Sequence, residues 1–199
     1  VIGILALQGA VEKHIRMLSK INVPCCPVKY SEELEQIDAL IIPGGESTTI
    51  GKLLTRFSLF DPLAKLIAQG LPVFGTCAGL ILLAKRIEGF DQPSFKLLDI
   101  TVARNAYGPQ IESFETDIDI PALGEKAFRA VFIRAPIITQ VAPHVEILAG
   151  FEGNPVLVRQ GNLLASSFHP ELTDDERIHR HFALNLVADR LSELAYKKN

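Results

Sequence analysis

Short, β-rich apolar runs alternate with amphipathic helical patterns along the first half of this chain, and that alternation restricts its fold more than any other feature. Residues 1–7 (VIGILAL), 39–42 (ALII) and 73–75 (VFG) are continuously apolar. Between them Val11, Ile15 and Leu18 recur at i, i+4 and i+7, and Leu63, Leu66 and Ile67 share a helical face. Strands that are apolar on both faces need cover on both faces, which means a parallel sheet joined by crossover helices. Residues 80–87 predict a helix. Residues 97–158 are more strand-like and carry turn strings such as Tyr107-Gly108-Pro109 and Gly153-Asn154-Pro155. A strand over 163–167 then leads to a last helix over 174–197, with Ile178, Phe182, Leu186, Leu191 and Leu194 near one side. The expected architecture is one doubly wound α/β domain over 1–199, a mostly parallel sheet flanked by helices with an antiparallel edge.

Composition narrows the function classes. The 199 residues carry a formal charge of −3, with 48% hydrophobic and 22% charged residues, a globular balance that argues against disorder. A slightly acidic chain lacks the electrostatic footprint of a nucleic-acid binder. No apolar run approaches the ~18 residues that span a bilayer, and residues 1–7 read as a buried strand rather than a signal peptide. Three cysteines are too few for a disulfide framework, so a cytoplasmic protein with reduced thiols is expected. Cys25 and Cys26 read as packing residues. No metal or cofactor is expected.

Ligands of such folds sit at the carboxyl ends of the parallel strands, and three segments lie there. Gly75-Thr76-Cys77-Ala78-Gly79 follows an apolar strand and precedes a helix. It is a thiol version of the nucleophile elbow, in which a strained turn thrusts the side chain out at the strand end. The N–H of Ala78 and the helix N-terminus then face the reacting centre and favour a thiolate or an oxyanion. The same string also suits a packing cysteine whose glycines ease helix–strand contact.

A thiol nucleophile needs a base, and the base needs an orienter. His169 follows a strand and stands two residues before Glu171, and in an extended segment such positions point the same way. A surface His-Pro-Glu loop is the plainer alternative. His14, His144, His179 and His181 have no special context and read as solvated or locally paired. In Pro43-Gly44-Gly45-Glu46-Ser47-Thr48-Thr49, Gly45 N–H is a second oxyanion candidate, and Glu46 and Ser47 could read a polar substrate. Ser47 or Thr48 caps the next helix. The loop lacks the Gly-Lys-Ser/Thr of a phosphate loop.

Together a thiol elbow, a Gly-Gly loop and a distant His-Pro-Glu resemble the class I (triad) glutamine amidotransferases, whose layering is flavodoxin-like. The closer resemblance is to the family of glutaminase subunits of pyridoxal 5′-phosphate synthase. It is carried by Leu7-Gln8-Gly9-Ala10-Val11 with Glu12 and His14, the Pro43–Thr49 string, Gly75-Thr76-Cys77-Ala78-Gly79-Leu80 and Arg104-Asn105-Ala106-Tyr107-Gly108. Phe132-Ile133-Arg134-Ala135-Pro136 and Ser167-Phe168-His169-Pro170-Glu171-Leu172-Thr173 complete it. Pro109 departs from the family's pattern, which has an arginine after the Tyr-Gly pair.

This resemblance implies that Cys77 is the nucleophile, His169 the base and later acid, and Glu171 the orienter. It implies an oxyanion held near Gly45 and Ala78, and L-glutamine contacts at Gly44, Gly45, Glu46, Ser47, Arg104, Ile133 and Arg134. Gln8, Gly9, His14 and Asn105 are expected as loop or partner contacts. The implied partner is a (β/α)8 barrel synthase subunit that receives the ammonia. Alternatives are a glutaminase subunit of another enzyme such as imidazole glycerol phosphate synthase, a cysteine hydrolase or peptidase, and a non-enzymatic docking subunit.

Overall fold

The computed structural model describes residues 1–104 and 113–196. In chain order the elements are β1 (Ile2–Leu5), α1 (Val11–Lys20), β2 (Cys25–Val28), β3 (Ala39–Ile42), α2 (Ser47–Arg56), α3 (Phe60–Ala68), β4 (Val73–Thr76), α4 (Ala78–Leu83) and β5 (Ala84–Ile87). There follow β6 (Leu98–Ala103), β7 (Ser113–Ile118), β8 (Phe128–Ile133), β9 (Ile137–Val141), β10 (Glu146–Phe151), β11 (Asn154–Gln160) and β12 (Leu163–Ser166). The last helices are α5 (Arg177–His181) and α6 (Val187–Tyr196), joined by a wide π turn over Phe182–Leu186.

The main sheet has the order β10-β11-β12-β4-β3-β1-β2. β2, β1, β3, β4 and β12 run parallel, and β11 and β10 add the antiparallel edge. The parallel part has the 2-1-3-4-5 strand order of flavodoxin-like folds. β5-β6-β9 and β7-β8 form two smaller sheets. This is the α/β architecture that the alternation predicts.

The strands are apolar throughout because both faces are buried. Along β3, Leu40 and Ile42 pack with Ile50, Leu54 and Leu63 of α2 and α3, while Ala39 and Ile41 join Leu18 of α1 and Phe182 on the other face. The strand pleat sends alternate residues to opposite cores. β4 does the same with Val73 and Phe74.

Three elements differ from the sequence expectation. The helix over 80–87 ends at Leu83, because Ala84–Ile87 is drawn into a parallel ladder with β6 (Ala84 opposite Leu98, Ile87 opposite Val102). The strand β2 stands in a segment whose Cys-Cys-Pro sequence gave no clear strand pattern. On the last helix Ile178, Phe182 and Leu186 are buried, but Leu191 is 42% and Leu194 38% exposed. The π turn between them shifts the helical phase, so a stripe drawn at constant period runs off the core.

The elbow depends on backbone proximity. A Cβ on Gly79 would stand 2.2 Å from the carbonyl oxygen of Ile42, and one on Gly75 would stand 2.7 Å from the Gly79 carbonyl carbon. These glycines do ease helix–strand packing, while the strained angle belongs to Cys77 itself (φ 51°, ψ −98°). Gly79→Ala is expected to cost roughly 3 kcal/mol through overpacking against a carbonyl that cannot move without its strand. Urea unfolding checks this: an unchanged midpoint and slope would contradict the contact.

Candidate active site

Four strand ends converge on one cleft. The loop after β1 brings Gln8, the loop after β3 brings Gly44 to Ser47, β4 delivers Cys77, and the turn after β12 delivers His169. These residues line a cavity of about 420 Å³ together with Ala10, Ile81, Arg104, Ile133, Arg134 and Leu172. Every residue expected to touch L-glutamine therefore faces the same space as Cys77 and His169. Asn105 and Pro109 lie outside the described residues.

Cys77 is 6% exposed, and its Sγ lies 4.0 Å from the Ile133 carbonyl oxygen. Ala78 opens α4, so its N–H is one of the helix-terminal donors that no helical carbonyl can satisfy. Gly44 presses on the imidazole of His169: a Cβ there would stand 2.3 Å from His169 Cε1. The glycine loop is also tied down, with Gly44 N–H donating to Thr76 Oγ1 at 3.0 Å and Glu46 N–H to Gln8 Oε1 at 2.8 Å.

His169 Nδ1 lies 2.7 Å from Glu171 Oε1, and Glu171 is fully buried. The pair forms across a single 3-10 turn, Pro170–Leu172, rather than along an extended segment. Burial by itself lowers the basicity of His169, but hydrogen bonds to Cys77 and Glu171 and the charges of both overcome it and push the pKa up to about 10. Burial likewise works to raise the Glu171 carboxyl, while His14 and His169 outweigh it and hold the group below the ordinary carboxylate range. The result is a carboxylate–imidazolium pair beside a thiol, the arrangement that supports thiolate chemistry.

Glu46, rather than Ser47 or Thr48, caps α2, because a carboxylate can accept from Thr48 N–H (3.1 Å) and Thr49 N–H (2.7 Å) together. Its partial burial favours the neutral acid, yet the Thr49 hydroxyl and the two N–H groups bring it down to about 2. Glu46 also holds Arg104 at 2.9 Å. Arg104 further donates to Thr48 Oγ1 and Gln92 Oε1 and stacks on Phe90, with its guanidinium 4.6 Å from the ring centroid. Arg134 has a positive φ of 40°, is exposed, and makes no ion pair among the described residues.

Two histidines lie deeper than the sequence predicts. His14, expected as a loop or partner contact, is fully buried, as is His179. The amphipathic stripe of α1 turns inward with His14, Met17 and Leu18, so His14 faces Glu171 instead of solvent. Residue type alone concealed this, since a histidine within a helix scores as polar. Gln8 and Gly9 are exposed. His144 pairs with Asp99, 45 positions away, at 2.8 Å, and His181 with Asn185, one helical turn on, at 3.0 Å. Among the described residues no cluster of three or more His, Cys, Asp or Glu could hold a metal ion, and no helix is long and apolar enough to cross a membrane.

The SNO glutamine amidotransferase family model matches residues 4–188. The chain belongs to the SNO glutamine amidotransferase family. It is 59% identical over 181 residues to the pyridoxal 5′-phosphate synthase subunit PdxT of Pelotomaculum thermopropionicum, covering 91% of this chain and 92% of that one. With the PdxT subunit of Thermotoga petrophila it shares 55% identity over 181 residues, 91% and 96% of the two chains. A crystal structure of a glutamine amidotransferase superposes with a TM-score of 0.90 at 49% identity, covering 94% of this chain and 99% of that one. PurLQS from Thermotoga maritima, at a TM-score of 0.60 and 16% identity over 93% and 97% of the chains, shares the fold. As a member of this family the chain is a glutamine-hydrolysing enzyme.

The His169 imidazolium also makes a stability prediction for this amidotransferase. Its folded pKa of about 10 lies above the ordinary 6.5, so its contribution is complete below about pH 6.5 and is lost as pH rises toward 10. The stability difference between wild type and His169→Gln is expected to shrink across that window. Urea unfolding at several pH values measures it, and a constant difference would contradict the charged imidazole.

Proposed function

We propose that this chain is the glutaminase subunit of a pyridoxal 5′-phosphate synthase, releasing ammonia from L-glutamine through Cys77, His169 and Glu171. One observation carries the reading. An elbow cysteine, a carboxylate-held imidazole and a glycine loop line one cavity, in a chain 59% identical to a PdxT subunit.

The Cys77 thiolate attacks the side-chain amide carbon of glutamine. Charge builds on the amide oxygen, and the N–H groups of Gly45 and Ala78 are its candidate donors. The His169 imidazolium gives its proton to the departing nitrogen, so ammonia leaves and a glutamyl thioester remains. Neutral His169 then takes a proton from water, the hydroxide attacks the thioester, and glutamate departs as the thiolate is restored. Glu171 holds the imidazole in one orientation throughout and offsets its charge when protonated.

A free amino acid presents a carboxylate and an ammonium at its other end. Arg134, exposed at the cavity and without an ion-pair partner among the described residues, suits the carboxylate; the Glu46 carboxylate and the Ile133 carbonyl suit the ammonium. Arg104, already held by Glu46, acts by fixing that carboxylate. Gly44 and Ser47 complete the walls.

Ammonia released into water is protonated and lost as a nucleophile, so the synthase partner, a (β/α)8 barrel subunit, would receive it directly in a cytoplasmic complex. The name that the relatives share favours this partner over the imidazole glycerol phosphate enzyme. Glutamine-dependent ammonia release, measured with and without a pyridoxal phosphate synthase subunit, tests the proposal. Release is expected to be low alone and to rise on docking; full activity unchanged by the synthase would count against the partner. Cys77→Ala should abolish release with folding and docking intact, and normal turnover in that variant would sink the nucleophile assignment. Arg134→Ala is expected to raise KM by about tenfold or more, the loss of one charge-assisted contact, with kcat less affected.

A further inference from the structure

Behind the Cys77–His169–Glu171 line the buried polar chain continues. Glu171 Oε1 is taken by His169, while Oε2 is buried and has no hydrogen-bond partner among the described residues. His14 Nε2 stands 3.7 Å from that oxygen, with neither residue exposed. His14 Nδ1 lies 2.9 Å from His179 Nε2, and His179 Nδ1, the last atom of the line, is buried with no hydrogen-bond partner among the described residues. Thr76 Oγ1, which accepts from Gly44 N–H, lies 3.4 Å from His14 Nε2. The line thus joins the back of the site to the glycine loop at its front.

Proton positions follow from what each atom can do. A carboxylate oxygen only accepts, so a lone pair on His14 Nε2 would face Oε2 with repulsion. That arrangement would also make His179 Nδ1 a buried N–H without an acceptor, which is rarer and costlier than a buried lone pair. The assignment that avoids both puts the proton on His14 Nε2, where it is shared between Thr76 Oγ1 at 3.4 Å and Glu171 Oε2 at 3.7 Å, has His14 Nδ1 accept from His179 Nε2–H, and leaves both rings neutral. Burial depresses the basicity of both rings, and their mutual proximity adds to this for His179, which agrees with the neutral assignment.

The remaining surroundings supply no competing charge. The charges acting on His14 are Glu171 and His169, from the turn after β12. β4 offers the Thr76 hydroxyl and the edge of Phe74, and β1 (IGIL) and β2 (CCPV) contain neither carboxylates nor cations. On α1 itself Glu12, Lys13 and Arg16 are exposed. α5 contributes His179, and the π turn that follows seats Phe182 against Phe74 beneath it.

We propose that His14, held in its Nε2–H form by His179, is a positioning residue for Glu171, supplying the second oxygen with a donor when His169 has given up its proton. The demand arises within the cycle. While His169 is an imidazolium the buried carboxylate has a cation beside it. Once that proton has left with ammonia, the buried carboxylate has no cation beside it, and the His14 N–H is the donor that faces its second oxygen.

The inference rests on the glutaminase reading, so the assay is glutamine hydrolysis by the chain with its synthase partner. His14→Leu is expected to lower kcat by about tenfold or more, as for a buried charged acceptor left unpaired, with KM unchanged. The acid limb of the kcat–pH profile should move to higher pH, because Glu171 loses a donor that favours its ionised form. His14→Gln, which can set an amide N–H where Nε2 stood, should restore both; His14→Asn, whose N–H falls at the Nδ1 position, should restore neither. Equal impairment of the Leu and Gln variants, or a wild-type kcat and profile in His14→Leu, overturns the inference. Should His14→Leu not fold, His179→Phe carries the test. It frees the His14 tautomer and should lower kcat by a smaller factor with the same direction of pH shift, and an unchanged profile overturns the proposal. A wild-type complex that releases no ammonia overturns this inference and the glutaminase reading together, whereas an active wild type with silent His14 and His179 variants overturns this inference alone.

Discussion

At Gly79 the backbone of α4 lies so close to β3 that a side chain would stand 2.2 Å from the Ile42 carbonyl oxygen. That approach sets the angle at which α4 leaves β4, and the angle forces Cys77 into its positive φ of 51°. A cysteine held there cannot turn back into the sheet, so its sulfur faces the cleft. Strain of this kind costs on the order of 1–3 kcal/mol and persists only where the surroundings over-determine it. Here they do, since β4 is central, flanked by β3 and β12, and buried on both faces.

The second constraint is electrostatic. Glu171 is a fully buried carboxylate, and such a group is tolerated only when paired and hydrogen-bonded. His169 meets one oxygen, and His14 with His179 behind it approaches the other. The arrangement of Cys77, His169 and Glu171 therefore draws on β4, the turn after β12, α1 and α5, which meet because the 2-1-3-4-5 strand order gathers the strand ends. The glycine loop is bound into the same arrangement through Thr76, the middle residue between Gly75 and Cys77.

Much of this could be read from the residues. The continuous apolar runs announced a parallel sheet, because strands buried on both faces leave no polar alternation. The elbow was legible because its glycines and cysteine fall between a strand and a helix. The wrong assignments share a cause. Ala84–Ile87 reads as helix locally but is captured by β6, and Leu191 and Leu194 leave the core because a π turn alters the helical phase. His14 and His179 read as solvated or locally paired residues, and Ser47 or Thr48 rather than Glu46 reads as the cap of α2, since each role is conferred by a partner distant in sequence or by loop geometry.

By itself, then, the order of residues determined the layering of the fold and singled out Cys77, His169 and Glu171 as candidate reactive groups, because hydrophobic period and short motifs act over a few residues. Only the tertiary structure decided which face of α1 turns inward, which oxygen of Glu171 faces His14, and which carboxylate holds Arg104. Those outcomes depend on close approach between elements up to 165 positions apart, as with His14 and His179, and a local pattern carries no information about what will stand across from it.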